Sequence, residues 1–271
     1  MEMLILLKDL CMFMNLKGEN RMYVEDPIKA LFYAPAGHGK TVLLGTAAGD
    51  PRLSPMLLLE FEGGTRSIRS KINPIPLGNL GKKKPSVDKI DTVRIQVWED
   101  FNFGYDYLSG DHPYRSVGLD SLSEMNYLNM SETLVTALRS DRQHDPDIAE
   151  QRDYLRSYAQ MRKLVRYFRD LPMHVFFTAG VQSIQDPRTK LPKSWPQLTG
   201  KLAFEIPGLV EILGYLAVVE DGEEIYRCLF TQPTERFEAK DRTEGGKLGS
   251  AIQDPTLPKI LDLIESKEEH Q

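Results

Sequence analysis

Cysteine is scarce in this chain of 271 residues, and its two copies, Cys11 and Cys228, lie far apart. Neither belongs to a C-x-x-C pair, so we expect no disulfide framework and no structural zinc site. The five histidines are scattered, and no two have the i, i+4 spacing that places both rings on one helix face. The sequence therefore predicts no transition-metal site.

An excess of positive charge and a long hydrophobic run are also lacking. The 34 lysines and arginines are outnumbered by 39 aspartates and glutamates, which gives a net charge of −5 and excludes a uniformly basic nucleic-acid binder. The apolar stretch at residues 3–14 is interrupted by Lys8 and Asp9, and it is too short for a membrane span or a good signal peptide. We therefore expect a cytoplasmic protein without a membrane partner.

Short apolar segments alternate with stretches that favour helices through most of the chain. The first segment, at residues 28–34, is followed by a glycine-rich loop and a helix-like stretch at 40–48. Similar segments follow at residues 56–61, 92–97, 116–119 and 174–178. This alternation predicts an α/β domain with a mostly parallel central sheet flanked by helices.

The texture of the sequence changes after Gln182. A loop rich in proline, lysine and glycine leads to apolar stretches at residues 210–219, 225–231 and 236–239, whose spacing predicts a C-terminal antiparallel meander. Residues 257–268 indicate a short amphipathic helix. We divide the chain into an N-terminal segment (1–24), an α/β domain (25–245) and a C-terminal tail with this helix (246–271).

The most informative motif is a phosphate loop at residues 34–41, in which Ala34 replaces the usual first glycine. Small residues allow backbone N–H groups to turn toward phosphate oxygens, and a lysine and a threonine end the motif. The residues predicted to bind nucleotide are Pro35, Ala36, Gly37, His38, Gly39, Lys40 and Thr41. Lys40 would contact the β- and γ-phosphates of ATP, and the hydroxyl of Thr41 would bind Mg²⁺.

A phosphate loop needs an acidic partner at the end of a neighbouring strand. Asp120 follows the apolar residues 116–119 and is the predicted second Mg²⁺ ligand, opposite Thr41. The alternative is that Asp120 caps the helix that follows it.

Hydrolysis also needs a carboxylate that orients the attacking water. Glu62, at the end of the segment after the phosphate-loop helix, is the first candidate. Glu60 would lie on the same side of an extended strand and is the alternative, and Glu124 lies one helical turn after Ser121.

Together these motifs resemble the RecA-like recombinase core, and more narrowly the compact phage ATPases of that superfamily that act in single-strand annealing. The resemblance is carried by residues 34–41, 60–64, 119–121 and 237–242. It implies that Glu62 is the catalytic carboxylate and that Asp120 binds magnesium. It also implies that Gln182 senses the γ-phosphate, with Thr178 as the alternative.

The same resemblance gives a role to two cations near the C-terminus. Lys240 and Arg242 are two apart on a predicted strand, so both side chains would point the same way. The resemblance implies that they reach the γ-phosphate of the adjacent protomer, which would require a homo-oligomer. The alternative is an exposed strand face.

A cationic loop at residues 182–201 follows the predicted sensor strand. It combines positive charge with an aromatic ring, as binding of single-stranded DNA requires. Its predicted DNA-binding residues are Arg188, Lys190, Lys193 and Trp195. In position it matches the second DNA-binding loop of the RecA-like core.

These features predict an ATPase that acts on single-stranded DNA in phage recombination or replication, in the cytoplasm of the infected host. The alternative is a nucleotide-gated scaffold or loading factor that binds ATP with little hydrolysis. A small-molecule kinase is a third possibility, but the sequence has no separate arginine-rich lid.

Overall fold

The computed structural model describes Val24 and residues 26–141, 144–145, 147–186, 189–222 and 224–266. The predicted N-terminal segment therefore lies outside the described residues, apart from Val24. No helix in these ranges combines the length and apolar character that crossing a bilayer requires.

Twelve strands occur in the described residues. They are β1 (Lys29–Tyr33), β2 (Met56–Glu60), β3 (Ile72–Pro74), β4 (Ile90–Arg94), β5 (Ser116–Asp120), β6 (His174–Ala179), β7 (Val181–Gln185), β8 (Pro192–Pro196), β9 (Ile212–Asp221), β10 (Glu224–Phe230), β11 (Lys240–Asp241) and β12 (Ala251–Gln253). The α-helices are α1 (Lys40–Leu44), α2 (Trp98–Ser109), α3 (Leu122–Ser140), α4 (Gln151–Arg169), α5 (Leu202–Leu209) and α6 (Leu257–Glu265).

The main sheet has the strand order β12-β10-β9-β1-β6-β5-β2-β4-β3, and β11 pairs with β9. The strands from β9 through β1 to β3 are parallel, whereas β10, β11 and β12 are antiparallel to their neighbours. The predicted α/β class, with a mostly parallel sheet and a C-terminal antiparallel part, is confirmed.

The sheet is covered on both faces because its central strands are apolar on both sides. Leu31 of β1 belongs to the apolar layer that includes Leu122 and Met161 of α3 and α4. Phe32, the next residue, belongs to the opposite layer with Leu44 and Leu261. Each fully buried side chain of this kind adds about 1.5–3 kcal/mol to the free energy of unfolding, so the central strands are held firmly in place.

The C-terminal residues are part of this sheet and core. Strand β12 pairs with β10, and α6 buries Ile260 and Leu261. The backbone N–H of Leu257 donates to Thr46 Oγ1 at 2.8 Å, which ties α6 to the segment after α1. The stretch predicted as a tail is therefore packed against the α/β domain.

Three local predictions differ from the structure. The fourth strand covers Ile90–Arg94 rather than residues 92–97. The strand predicted at 236–239 is instead the two-residue β11 at Lys240–Asp241. The loop predicted at 182–201 contains the antiparallel hairpin β7–β8, because Val181 and Ile184 pack against the core and hold its first strand.

His174, at the start of β6, makes the stability of the fold depend on pH. Burial, first of all, lowers the pKa of this ring from 6.5 to about 4, and its Nδ1 accepts a hydrogen bond from the Ile28 N–H at 3.1 Å. The unfolded chain therefore binds this proton at a higher pH than the folded one. The stabilisation is complete above pH 6.5 and is lost as the pH falls toward 4.

We expect this single group to remove about 3 kcal/mol from the free energy of unfolding between pH 7 and pH 4. A His174→Asn variant keeps an acceptor for the Ile28 N–H and removes the titration. Urea unfolding at both pH values should therefore show a smaller loss for the variant by that amount. Equal losses in the two proteins would contradict the assignment.

Candidate nucleotide site

The site lies where the carboxyl ends of β1, β2, β5 and β6 meet. These strands are parallel, so the segments that follow them emerge at the same edge of the sheet. The phosphate loop follows β1, the Glu-Gly-Gly segment follows β2, and Asp120 ends β5. The topology therefore gathers the motifs that the sequence distributes from residue 34 to residue 120.

The phosphate loop turns through two glycines with positive φ, Gly37 at 80° and Gly39 at 99°. Lys40 Nζ donates to the carbonyl oxygens of Ala34 at 3.0 Å and Pro35 at 3.2 Å. Burial lowers the pKa of Lys40, and the negative charges of Glu62 and Asp120 oppose this effect. The ammonium is thus folded back on the loop, where phosphate oxygens can replace the two carbonyls as its partners.

The Asp120 carboxylate is held by two threonine hydroxyls. Thr41 Oγ1 donates to Oδ2 at 2.6 Å, and Thr178 Oγ1 donates to Oδ1 at 2.5 Å. Burial raises the pKa of Asp120, and these hydrogen bonds counteract the increase. The cap of α3 is Ser121, whose Oγ accepts the Glu124 N–H at 3.4 Å, so the Asp120 carboxylate does not serve as that cap.

Glu60, the last residue of β2, and Glu62, two residues later, have different surroundings. Glu62 is exposed to the cavity and accepts a hydrogen bond from Ser121 Oγ. Glu60 is buried, and its Oε1 accepts from the N–H and Oγ1 of Thr65 at 3.1 and 2.7 Å. Glu60 therefore fixes the turn after β2, while Glu62 is the carboxylate that water can reach.

The glycines after Glu62 allow this segment to approach the phosphate loop closely. A Cβ atom built on Gly64 would lie 3.2 Å from Thr41 Oγ1. A side chain there would crowd the Thr41–Asp120 pair, which explains physically why glycine fits the position.

A cavity of about 920 Å³ opens over these groups. The phosphate-loop residues that line it include Pro35, Ala36, Gly37, Gly39, Lys40 and Thr41, but not His38, whose Nδ1 lies 3.1 Å from the Ala36 carbonyl oxygen. Glu62 and Glu124 also line it, and burial, followed by the charge of Glu62, raises the pKa of Glu124.

The sequence pattern of the family described as AAA domain matches residues 26–243, most of the chain and the whole nucleotide site. The chain belongs to the AAA domain family. No curated protein matches it. Among solved structures, a KaiC-like protein from Pyrococcus horikoshii OT3 is similar, with 12% identity, a TM-score of 0.43, and coverage of 87% of this chain and 99% of that one.

Membership of the AAA domain family makes this chain a phosphate-loop ATPase, so ATP and Mg²⁺ are the implied substrate and ion. The residues fit both. Thr41 and Asp120 offer adjacent oxygen atoms of the kind that Mg²⁺ prefers. Bound Mg²⁺ would neutralise phosphate charge, and Lys40 would add a second positive charge. Within the described residues, no cluster of three or more His, Cys, Asp or Glu side chains suits another metal.

The two candidate sensors of this AAA domain lie in different places. The Gln182 side chain donates through Nε2 to the carbonyls of Pro196 and Leu198, both at 2.9 Å. Its amide therefore joins the two strands of the β7–β8 hairpin. Thr178 contacts Asp120 directly and is fully buried, so the alternative is the residue that the structure brings to the magnesium position.

Lys240 and Arg242 lie away from the phosphate loop of their own subunit. Lys240 pairs with Leu213 near the amino end of β9, whereas the loop follows the carboxyl end of β1. The Lys240 ammonium donates to the carbonyls of Pro207 and Val210, and burial lowers its pKa to about 8. Arg242 is exposed. Their role at a neighbouring subunit stays a prediction.

Of the four predicted DNA-binding residues, Arg188 lies outside the described residues. Lys190 is exposed in the turn of the hairpin. Lys193 Nζ forms a salt bridge with Glu238 Oε2 at 2.7 Å, and Trp195 packs edge-on against Phe204, with ring centroids 4.8 Å apart. Internal contacts thus occupy Lys193 and part of Trp195.

Sequence reasoning missed Arg227, which lines the nucleotide cavity from β10. It is 188 residues from Gly39, and no local motif marks it. The long β9–β10 hairpin carries it above the edge of the sheet, because β9 continues beyond Tyr215, the partner of the last residue of β1.

Proposed function

We propose that this ATPase binds and hydrolyses Mg·ATP and uses nucleotide state to control an oligomer on single-stranded DNA in phage recombination or replication. One observation carries the proposal. Thr178 holds Asp120 in the nucleotide site, and β7 of the cationic hairpin begins three residues later, at Val181. A change at the magnesium position therefore has a short covalent route to the hairpin.

A second connection runs through hydrogen bonds at the base of the hairpin. Ser123 Oγ accepts the Gly180 N–H at 2.9 Å and donates to the Gln197 carbonyl at 2.8 Å. The Gln197 N–H donates to the Gly180 carbonyl at 2.9 Å. Because Gly180 and Gln197 also line the nucleotide cavity, this network joins the hairpin to the wall of the site.

The hairpin surface supports a single-stranded partner through charge and aromatic contact. Lys190 is exposed at its turn, and Trp195 is half-buried beside the exposed ring of Phe204. Phosphates would be neutralised by lysine, and bases would stack on the aromatic rings. The Lys193–Glu238 salt bridge must open before Lys193 can contribute.

We propose an oligomer because cations near the C-terminus would contact the nucleotide that is bound by a neighbouring subunit. Arg242 is exposed and suits this role better than Lys240, whose ammonium is held by two carbonyls. A guanidinium that reaches a γ-phosphate across an interface stabilises transition-state charge. The backbone N–H of Arg242 donates to the Glu211 carbonyl at 3.1 Å, which anchors the residue at the surface.

The deciding experiment measures ATP hydrolysis with and without single-stranded DNA, with Lys40→Ala as the blank. We expect turnover that rises on adding DNA. ATP binding without turnover in either condition would favour the nucleotide-gated scaffold. Binding of neither ATP nor DNA would refute the proposal.

The hairpin is tested by Lys190→Ala against the matched control Lys89→Ala, which removes an exposed lysine directly before β4, outside the hairpin. Loss of one phosphate contact should reduce the salt slope of DNA affinity by about 0.7 for Lys190→Ala. The control should keep the wild-type slope. Equal slopes in all three proteins would place the DNA elsewhere.

A further inference from the structure

The side chain of Arg227 crosses the phosphate loop of its own chain. A Cβ atom built on Gly39 would lie 2.6 Å from Nε and 3.0 Å from Cδ of Arg227. The arginine therefore rests directly on Gly39, the residue before Lys40, and only a residue without a side chain leaves room for it.

The backbone of Arg227 is fixed while its charge is left available. Its N–H donates to Asp254 Oδ1 at 3.3 Å, its carbonyl accepts the Asp254 N–H at 2.7 Å, and Val218 of β9 lies opposite. Within the described part of the chain, the guanidinium makes no hydrogen bond or ion pair. It is thus a held cation with unused donors beside a phosphate-binding loop.

Cations and carboxylates line different sides of the cavity. Among its lining residues the cations are Lys40 and Arg227, and the carboxylates are Glu62 and Glu124. The carboxylates lie on the side of β5 and β2, where Thr41 and Asp120 form the magnesium position. Arg227 approaches from β10, on the other side of β1.

This placement indicates which part of a nucleotide Arg227 can reach. Strands are about 4.8 Å apart, so β10 and β5 each lie about 10 Å from β1, in opposite directions. The γ-phosphate of a bound ATP would lie near Asp120 and Glu62. A bound nucleotide therefore extends its α-phosphate and nucleoside toward β10.

We propose that Arg227 is a nucleotide-binding residue supplied in cis, which contacts the α-phosphate end of ADP and ATP. The β9–β10 hairpin then closes the site from the side opposite the catalytic carboxylate. A guanidinium suits this position because it offers several donors in a fixed plane to phosphate oxygens. The inference rests on nucleotide binding at the phosphate loop, as proposed above.

The test is calorimetric titration of the full chain, in the presence of Mg²⁺, with ADP and with a non-hydrolysable ATP analogue. Arg227→Ala should weaken both nucleotides by about 10- to 100-fold, the effect of losing a hydrogen bond between charged groups. Arg227→Lys should fall between this variant and the wild type. Arg236→Ala removes an exposed arginine outside the cavity lining and should bind both as the wild type does.

The results separate the possible failures. A loss confined to the ATP analogue would overturn the inference, because it would place Arg227 at the γ-phosphate. Unchanged affinity of Arg227→Ala for both nucleotides, with a wild type that binds them, would overturn the inference alone. A wild type that binds neither nucleotide would overturn the proposed function as well. Arg227 is exposed, so thermal melting should find the variant folded.

Discussion

Replacing Glu62 with glutamine is expected to lower ATP turnover by about 100-fold or more, while nucleotide affinity stays within about threefold of wild type. Glu62 is the exposed carboxylate of the cavity, and it accepts a hydrogen bond from Ser121 Oγ. Glutamine keeps the size and one acceptor oxygen but cannot take a proton from water. Single-turnover hydrolysis and equilibrium binding of ADP measure the two quantities separately.

Glu60→Gln is the matched control, since it makes the same change two residues earlier. Glu60 is buried and accepts two hydrogen bonds from Thr65. This variant should lose about 1–3 kcal/mol of stability but retain turnover per folded molecule. If Glu60→Gln abolished turnover and Glu62→Gln did not, the alternative assignment would be the correct one.

Glu124 offers a second check on the same carboxylate. Its pKa is raised by burial and then by the charge of Glu62. Glu62→Gln removes that charge, so the pKa of Glu124 should fall toward its usual value. A wild-type rate in Glu62→Gln that disappears on adding Glu124→Gln would transfer the catalytic role to Glu124.

The elements predicted correctly from sequence are those whose signal is local. The phosphate loop sits between a buried strand and a helix, and Asp120 ends an apolar segment, so short windows suffice to identify them. The order of the strands is a different matter. Nothing in the segment 28–34 tells that its neighbours are β6 and β9, because pairing depends on crossovers over the whole domain.

The hairpin and Arg227 show two ways in which sequence reasoning falls short. Strands β7 and β8 have five residues each and mix polar with apolar side chains, so their composition is typical of a loop. The hairpin is held in place by tertiary contacts, such as the packing of Val181 and Ile184 against the core. Arg227 meets Gly39 only through the length of β9, a tertiary property with no periodic signal.

Lys240 illustrates a correct residue type in an unexpected environment. The sequence places Lys240 and Arg242 on one strand face, but β11 ends at Asp241. The Lys240 ammonium instead donates to carbonyls at the end of α5, which have no hydrogen-bond partners within the helix. Such a contact depends on where α5 ends, and the residues around Lys240 do not reveal it.

Asp120→Asn is expected to lower ATP turnover by about 100-fold or more. The metal-free variant should nevertheless be at least as stable as the wild type. Burial raises the pKa of Asp120, which means that the folded state disfavours its charge. A carboxyl group whose pKa is raised by folding lowers the free energy of unfolding at pH values above its unfolded pKa, and asparagine, which does not titrate, removes this effect.

The two threonine contacts need not be lost, because the asparagine oxygen can accept from one hydroxyl and its NH₂ can donate to the other. Magnesium affinity should fall, since the charge that attracts the ion is gone. Thermal melting with and without Mg·ADP tests this directly. Wild type should gain stability from the ligand, and the variant should gain little. A variant that melts well below wild type without ligand would mean that Asp120 holds the fold together instead of serving the nucleotide.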